Sequence, residues 1–141
     1  TFFWGDWHRE QTLGFPRSEN ISPLRWSLDH AVPFTLHNDS PIVPPDIVRT
    51  LWSAATRRTR TGDILGPAQR IPVARALEAV TVNAARQYGE EALRGSIRAG
   101  KLADLVILSR NPVEMDPESL LELRVIETIS RGKTLFRASV Q

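Results

Sequence analysis

Asp39 is the side chain in this sequence best placed for chemistry. It lies in Phe34-Thr35-Leu36-His37-Asn38-Asp39-Ser40-Pro41, a short apolar stretch that runs into a polar cluster. A carboxylate at the tip of a buried strand can hold a metal ion or carry a proton. Side chains on a strand alternate faces with a period of two, so Thr35, His37 and Asp39 share one face. Phe34, Leu36 and Asn38 share the other. Pro41 lacks a backbone N–H and ends the ladder. The same residues also suit a plain turn, because Asp, Asn and Ser bond readily to nearby backbone.

The elements that must position this octet can be read on either side of it. The opening Phe2-Phe3-Trp4-Gly5-Asp6-Trp7-His8 reads as the end of a buried strand entering a loop. Trp4, Trp7 and His8 there either line a pocket or fill the core. Ser22-Pro23 is a helix start, a serine cap with proline in the first helical position. It predicts a helix over about residues 23–30, with Leu24 and Leu28 on one face. Strand, loop, helix and strand in that order make a βα unit of a parallel sheet.

Beyond the octet, Asp46 after Pro44-Pro45 caps a second helix, predicted to end near Thr59. Ile47, Leu51, Ala54 and Ala55 recur at helical spacing, with Trp52 beside them. A third helix is predicted over residues 72–88, with Gly89 as its C-cap. The apolar run in residues 103–108 reads as a buried strand, ended by Asn111-Pro112. Asp116-Pro117 starts a short helix. Residues 125–129 and 135–136 read as a hairpin around Gly132. Three parts result: residues 1–61, a bridging helical region at 62–92, and a β-rich part at 93–141.

Composition narrows the function classes. The chain has 141 residues, enough for one core, and is 41% hydrophobic and 24% charged, an ordinary globular balance. Cysteine is absent, which excludes disulfides, thiolate metal sites and a cysteine nucleophile and fits a cytoplasmic protein. No apolar run is long enough to span a bilayer, and no basic leader precedes Thr1-Phe2-Phe3-Trp4. The sequence does not begin with Met, so the chain reads as a piece of a longer protein or a processed product. His8, His30 and His37 are too few to build a histidine-rich metal site. The net charge is +2, and the one basic cluster is Arg57-Arg58-Thr59-Arg60. It reads as a solvated helix end that complements the helix dipole; a nucleic-acid patch is the rival reading, weakened by the lack of interleaved aromatics.

Three segments carry a resemblance to a known family. They are Phe3-Trp4-Gly5-Asp6 with Ile21-Ser22-Pro23-Leu24; Leu36-His37-Asn38-Asp39-Ser40-Pro41; and Gly95-Ser96-Ile97 through Gly100-Lys101-Leu102-Ala103-Asp104-Leu105-Val106-Ile107-Leu108 to Asn111-Pro112. In order and spacing the chain resembles the C-terminal third of metal-dependent amidohydrolases of the amidohydrolase-3, YtcJ-like group. The resemblance implies an α/β fold: the C-terminal fragment of a TIM-like (β/α)8 barrel plus half of a small β-sandwich. A whole barrel of that class needs about 250 residues. The resemblance also implies that Asp39, at the end of barrel strand eight, binds a catalytic divalent metal, Zn2+ first. Asp39 would take a proton from metal-activated water and return it to a departing amine. His37, one layer below, would support Asp39 or pack the interior, and Trp4 and Trp7 would border the pocket. Asp104 would fix a turn.

The remaining ligands expected of that family match no residue here. One carboxylate cannot hold a catalytic zinc, which takes at least three protein ligands. The chain alone is therefore expected to bind no metal tightly and to hydrolyse nothing. The leading expectation is part of a hydrolase acting on non-peptide carbon–nitrogen bonds of a small-molecule amide, without nucleic-acid or membrane partners. The alternative is a non-catalytic folding or interaction module that self-associates through open strand edges. Nucleic-acid binding through Arg57, Arg58 and Arg60 ranks last.

Overall fold

The computed structural model describes residues 1–139; Val140 and Gln141, the end of the predicted third part, lie outside the described residues. The chain begins helically. α1 (Gly5–Trp7) continues without a break as a wider π-helical turn, His8–Thr12. α2 is Leu24–Asp29, α3 is Ile47–Thr56, α4 is Val73–Val80 and α5 is Val82–Gln87. A three-stranded antiparallel sheet follows, β1 (Leu105–Leu108), β2 (Val125–Ser130) and β3 (Lys133–Arg137), ordered β1-β2-β3.

α3 is the centre of the core. Asp46 caps it, its carboxylate accepting the Arg49 N–H at 2.9 Å. Leu51, Trp52, Ala54 and Ala55 then face inward, against Leu24 of α2, Val73 and Ala76 of α4, and Leu120. Leu120 comes from the 3-10 turn Pro117–Glu122, whose start is capped by Asp116 through the Glu118 N–H at 2.9 Å. The two short helix starts predicted from Asp-plus-helix patterns are thus present, and α3 ends three residues earlier than expected.

Other expectations need correction. Residues 2–4 form a turn rather than a strand end, with the Gly5 N–H donating to the Thr1 carbonyl at 2.9 Å. Ser22 does not cap α2; its φ is +47° and its hydroxyl makes no cap bond. Gln69, 43 and 44 residues away, does the capping instead: its Oε1 accepts the Arg25 and Trp26 N–H groups at 3.1 and 3.3 Å. The predicted third helix is two helices, broken at Thr81 (φ −122°, ψ −91°) between two β-branched valines, where the Thr81 hydroxyl bonds back to the Leu77 carbonyl at 2.6 Å. Gly89 does end the second of them, at φ +69°.

The βα unit of a parallel sheet does not form among the described residues. Residues 32–38 form no helix and pair with no strand, and Asp39 turns at φ +59°. A strand needs a neighbour to take its N–H and C=O groups, and this segment meets helices instead. The Asn83 amide donates to the Phe34 carbonyl at 3.1 Å, and the Thr35 hydroxyl donates to Gln87 Oε1 at 2.8 Å. The barrel fragment and the sandwich half are therefore expectations that the backbone here does not itself draw. Strand β1 is also not buried: Val106 and Ile107, which face opposite sides of the sheet, are both about half exposed.

The hairpin is as expected. Ser130 pairs with Lys133 across a two-residue turn, Arg131 and Gly132, both with positive φ. That is the turn whose twist matches antiparallel strands. Asp104 holds it from 27 residues away, its carboxylate accepting the Arg131 N–H at 2.8 Å and the Ser130 hydroxyl at 3.2 Å. The Arg131 N–H, helped by Ser130 and by the charge of Arg94, keeps the Asp104 carboxyl below the usual carboxylate range. A carboxyl whose folded pKa is depressed stabilises the fold above its unfolded pKa and loses that contribution as pH falls through the folded one. Wild-type chain should accordingly lose stability faster than Asp104→Asn as pH drops below about 4, measured by urea unfolding across pH. Parallel acid limbs for the two proteins would contradict the assignment.

Candidate functional site

A cavity of about 480 Å3 lies between the N-terminal turn, the start of α2, the extended segment and α3. Its apolar wall comes from Phe3, Trp4, Phe34, Leu36 and Ile42. Its polar groups are His37, Asn38, Asp39, Arg49 and Arg57. The extended segment delivers them by its period of two. Phe34 and Leu36 pack toward the core and Asn38 is half-buried, while His37 and Asp39 are exposed.

Asp39 stands at the end of that segment in a left-handed turn, φ +59°. Its carbonyl accepts the Ile42 N–H at 2.9 Å, closing the turn. Its own N–H donates to His37 Nδ1 at 3.1 Å, so the neutral His37 ring carries its proton on Nε2. Asp39 thus makes the turn its residue type allows and also borders the cavity. His37 borders it too and is not packed in an interior.

The tryptophans separate. Trp4 borders the cavity and Trp7 does not; they stack edge-to-face with ring centres 6.0 Å apart, 44% and 48% exposed. Neither is core. His8 and His30 make local bonds, to the Thr12 hydroxyl and the Trp26 carbonyl, both at 2.9 Å, and do not join Asp39.

Arg57 departs most from expectation. It is not a solvated helix end. It follows α3 in a left-handed conformation, φ +63°, with no exposed surface. Its guanidinium donates to three backbone carbonyls: Leu65 at 3.0 Å, Ser22 at 3.1 Å and Ile21 at 2.7 Å. Burial pushes its pKa down to about 10, opposed by the charge of Glu19. Arg58 is paired with Glu118 at 2.7 Å, and Arg60 lies 4.7 Å over the Phe3 ring. Arg49 lies 5.0 Å over the Phe2 ring, fixing the N-terminal turn against α3. Nothing local in the sequence marks Arg57 as a clamp, since its acceptors lie 8, 35 and 36 residues away.

The donor set can be tested against a metal. Among the described residues, no three His, Cys, Asp or Glu side chains gather closely enough to hold one. Asp39 offers a carboxylate and His37 commits Nδ1 to the backbone. The described residues of this chain do not by themselves fit a metal centre.

An exposed carboxylate and an imidazole border an apolar, partly aromatic cavity on a mixed helix-and-sheet frame. The family model described as Amidohydrolase family matches residues 1–136, and the chain belongs to that family. It is 33% identical over 136 residues to N-substituted formamide deformylase of Arthrobacter pascens, covering 93% of this chain and 24% of that protein. It is 30% identical over 105 residues to the putative amidohydrolase YtcJ of Bacillus subtilis strain 168, covering 72% of this chain and 20% of that protein. A crystal structure of an amidohydrolase from Thermotoga maritima MSB8 matches with a TM-score of 0.60 at 25% identity, over 79% of this chain and 24% of that one. The chain thus spans a quarter or less of the length of these curated relatives.

The Arg57 clamp yields a test. Lysine carries one compact ammonium that cannot span three carbonyls, and unmet buried carbonyls are costly. Arg57→Lys should lower the unfolding free energy by about 3 kcal/mol in urea titrations. A loss under about 0.5 kcal/mol would show that the clamp contributes little.

Proposed function

We propose that this chain is the part of a metal-dependent hydrolase of non-peptide carbon–nitrogen bonds that carries the working carboxylate Asp39, and that the chain alone is inactive. Family membership supports the reaction class. The observation that carries the reading is Asp39 on the lining of an apolar cavity, in the segment where the sequence expects a strand-end carboxylate. The relative from Arthrobacter pascens is named for N-substituted formamides, which makes small amides of that kind the first substrates to try.

The chemistry assigned to this chain is proton handling. Water attacks the amide carbonyl carbon, and the C–N bond breaks to give a carboxylic acid and an amine. Asp39 takes the proton that the attacking water loses and returns it to the leaving nitrogen, which departs poorly as an anion. A divalent metal, Zn2+ first, would supply a more acidic water when bound; its other donors would lie outside this chain. His37, through its bond to the Asp39 N–H, would keep the carboxylate's backbone in place. The apolar wall of Trp4, Phe34 and Leu36 would keep bulk water from the amide.

A second reading is a non-catalytic interaction module. Large apolar side chains left exposed, among them Phe15, Ile97 and Leu135, favour it and would promote self-association. Among the described residues no helix is long and apolar enough to cross a membrane.

Amine release separates the two readings. A polypeptide extended to the length of the family's curated members should release amine from an N-substituted formamide, with oxygen from 18O-labelled water entering the acid. The 141-residue chain alone should release none. Failure of the extended protein on every amide tried would contradict the hydrolase reading, and full turnover by the short chain would contradict the division of labour.

A further inference from the structure

Asp39 occupies a left-handed backbone conformation, one that aspartate adopts more readily than most residues with a side chain. The segment leading to it has no strand partner among the described residues, so strand pairing is not what holds it. Side-chain amides do. Asn83 and Gln87 tie Phe34 and Thr35, at the far end. Next to Asp39 the tie is Asn38, whose Nδ2 donates to the Asp46 carbonyl at 2.9 Å.

The anchor is well fixed. The Asp46 carbonyl also accepts the Thr50 N–H at 3.1 Å and the Thr50 hydroxyl at 3.0 Å, so it belongs to the first turn of α3. The Asp46 carboxylate caps the same turn. The chain between the two anchor points, Asp39 to Val43, is closed by the Ile42 N–H on the Asp39 carbonyl and by the Ser40 hydroxyl on the Val43 carbonyl at 3.0 Å. The packed helix α3 therefore reaches the residue next to Asp39 through a side-chain hydrogen bond to its first turn.

We propose that Asn38 is a positioning residue for Asp39: a strut from the start of α3 that aims the carboxylate into the cavity. The inference rests on the reading of Asp39 as the proton carrier. Asn38 acts through its neighbour's backbone, while its own amide group is spent on Asp46. Its effect falls on the reacting geometry and not on substrate affinity, because a misplacement of about 1 Å costs about a hundred-fold in rate.

Two measurements test it. In the 141-residue chain, Asn38→Leu keeps the branched shape of the side chain, at a larger volume, and removes the donor. Amide hydrogen exchange at Ile42 should then rise at least about ten-fold, while Leu51 inside α3 stays protected. In the extended protein, the same variant should lower kcat about a hundred-fold with KM within about two-fold of wild type. If Asn38→Leu does not fold, Asn38→Ser, whose short hydroxyl does not reach Asp46, carries the same expectations. Unchanged exchange at Ile42, or unchanged kcat in a protein that does release amine, overturns the strut. A wild-type protein that releases no amine overturns the hydrolase reading instead, and the exchange result still decides the strut.

Discussion

The structure hangs on a buried guanidinium. Arg57 ends α3 in a left-handed turn and places its charge where there is no water, bonded to the carbonyls of Ile21, Ser22 and Leu65. Burying an unpaired charge costs several kcal/mol, so the site persists only because the acceptors are fixed. They are fixed from two directions: the turn into α2, which supplies Ile21 and Ser22, and the chain entering Gly66, which supplies Leu65. Gly66 sits at φ +63°, where a Cβ would fall 2.0 Å from the Glu19 carbonyl oxygen, and its N–H donates to the Glu19 carboxylate at 3.1 Å. No other residue fits that approach. The cavity's rear wall, with Arg57 itself in its lining, is what this knot leaves open.

The front of the cavity is held differently. Its floor is a stretch of extended chain tied by amide side chains to α5 and to the start of α3. Apolar residues of that stretch pack inward and its titratable residues face out, so one short run of sequence supplies both wall and chemistry. The helical N-terminal turn closes the third side, with Phe2 and Phe3 each under an arginine. The sheet stands apart from this work. Its contribution to the core comes through Leu120, in the turn before β2.

What could be read from the sequence is what local chemistry decides. Asp46 and Asp116 cap the elements after them because the carboxylate and its N–H partner lie two or three residues apart. The hairpin follows from strand-formers around Gly132, and the Asp104 turn contact from a matching motif. The face alternation from Leu36 to Asp39 needs only the period of a strand. What could not be read depends on distant partners. Gln69 usurps the capping role expected of Ser22 from 43 residues away. Arg57 looks like any basic helix end until three remote carbonyls converge on it. Trp4 and Trp7 look alike in sequence and stack on each other three residues apart, yet Trp4 borders the cavity and Trp7 does not. The strand expected at residues 34–39 stands unpaired and turns left-handed at Asp39, since pairing is a property of two segments and only one is present among the described residues.

The central claim is that Asp39 is the chemical group this chain contributes. Its positive φ permits a clean test, because glycine adopts that backbone without strain and removes only the carboxylate. In the extended protein, Asp39→Gly should lose about a hundred- to ten-thousand-fold in turnover of an N-substituted formamide, and added formate should restore part of it by carrying the proton in place of the lost side chain. Wild-type turnover in Asp39→Gly would contradict the account.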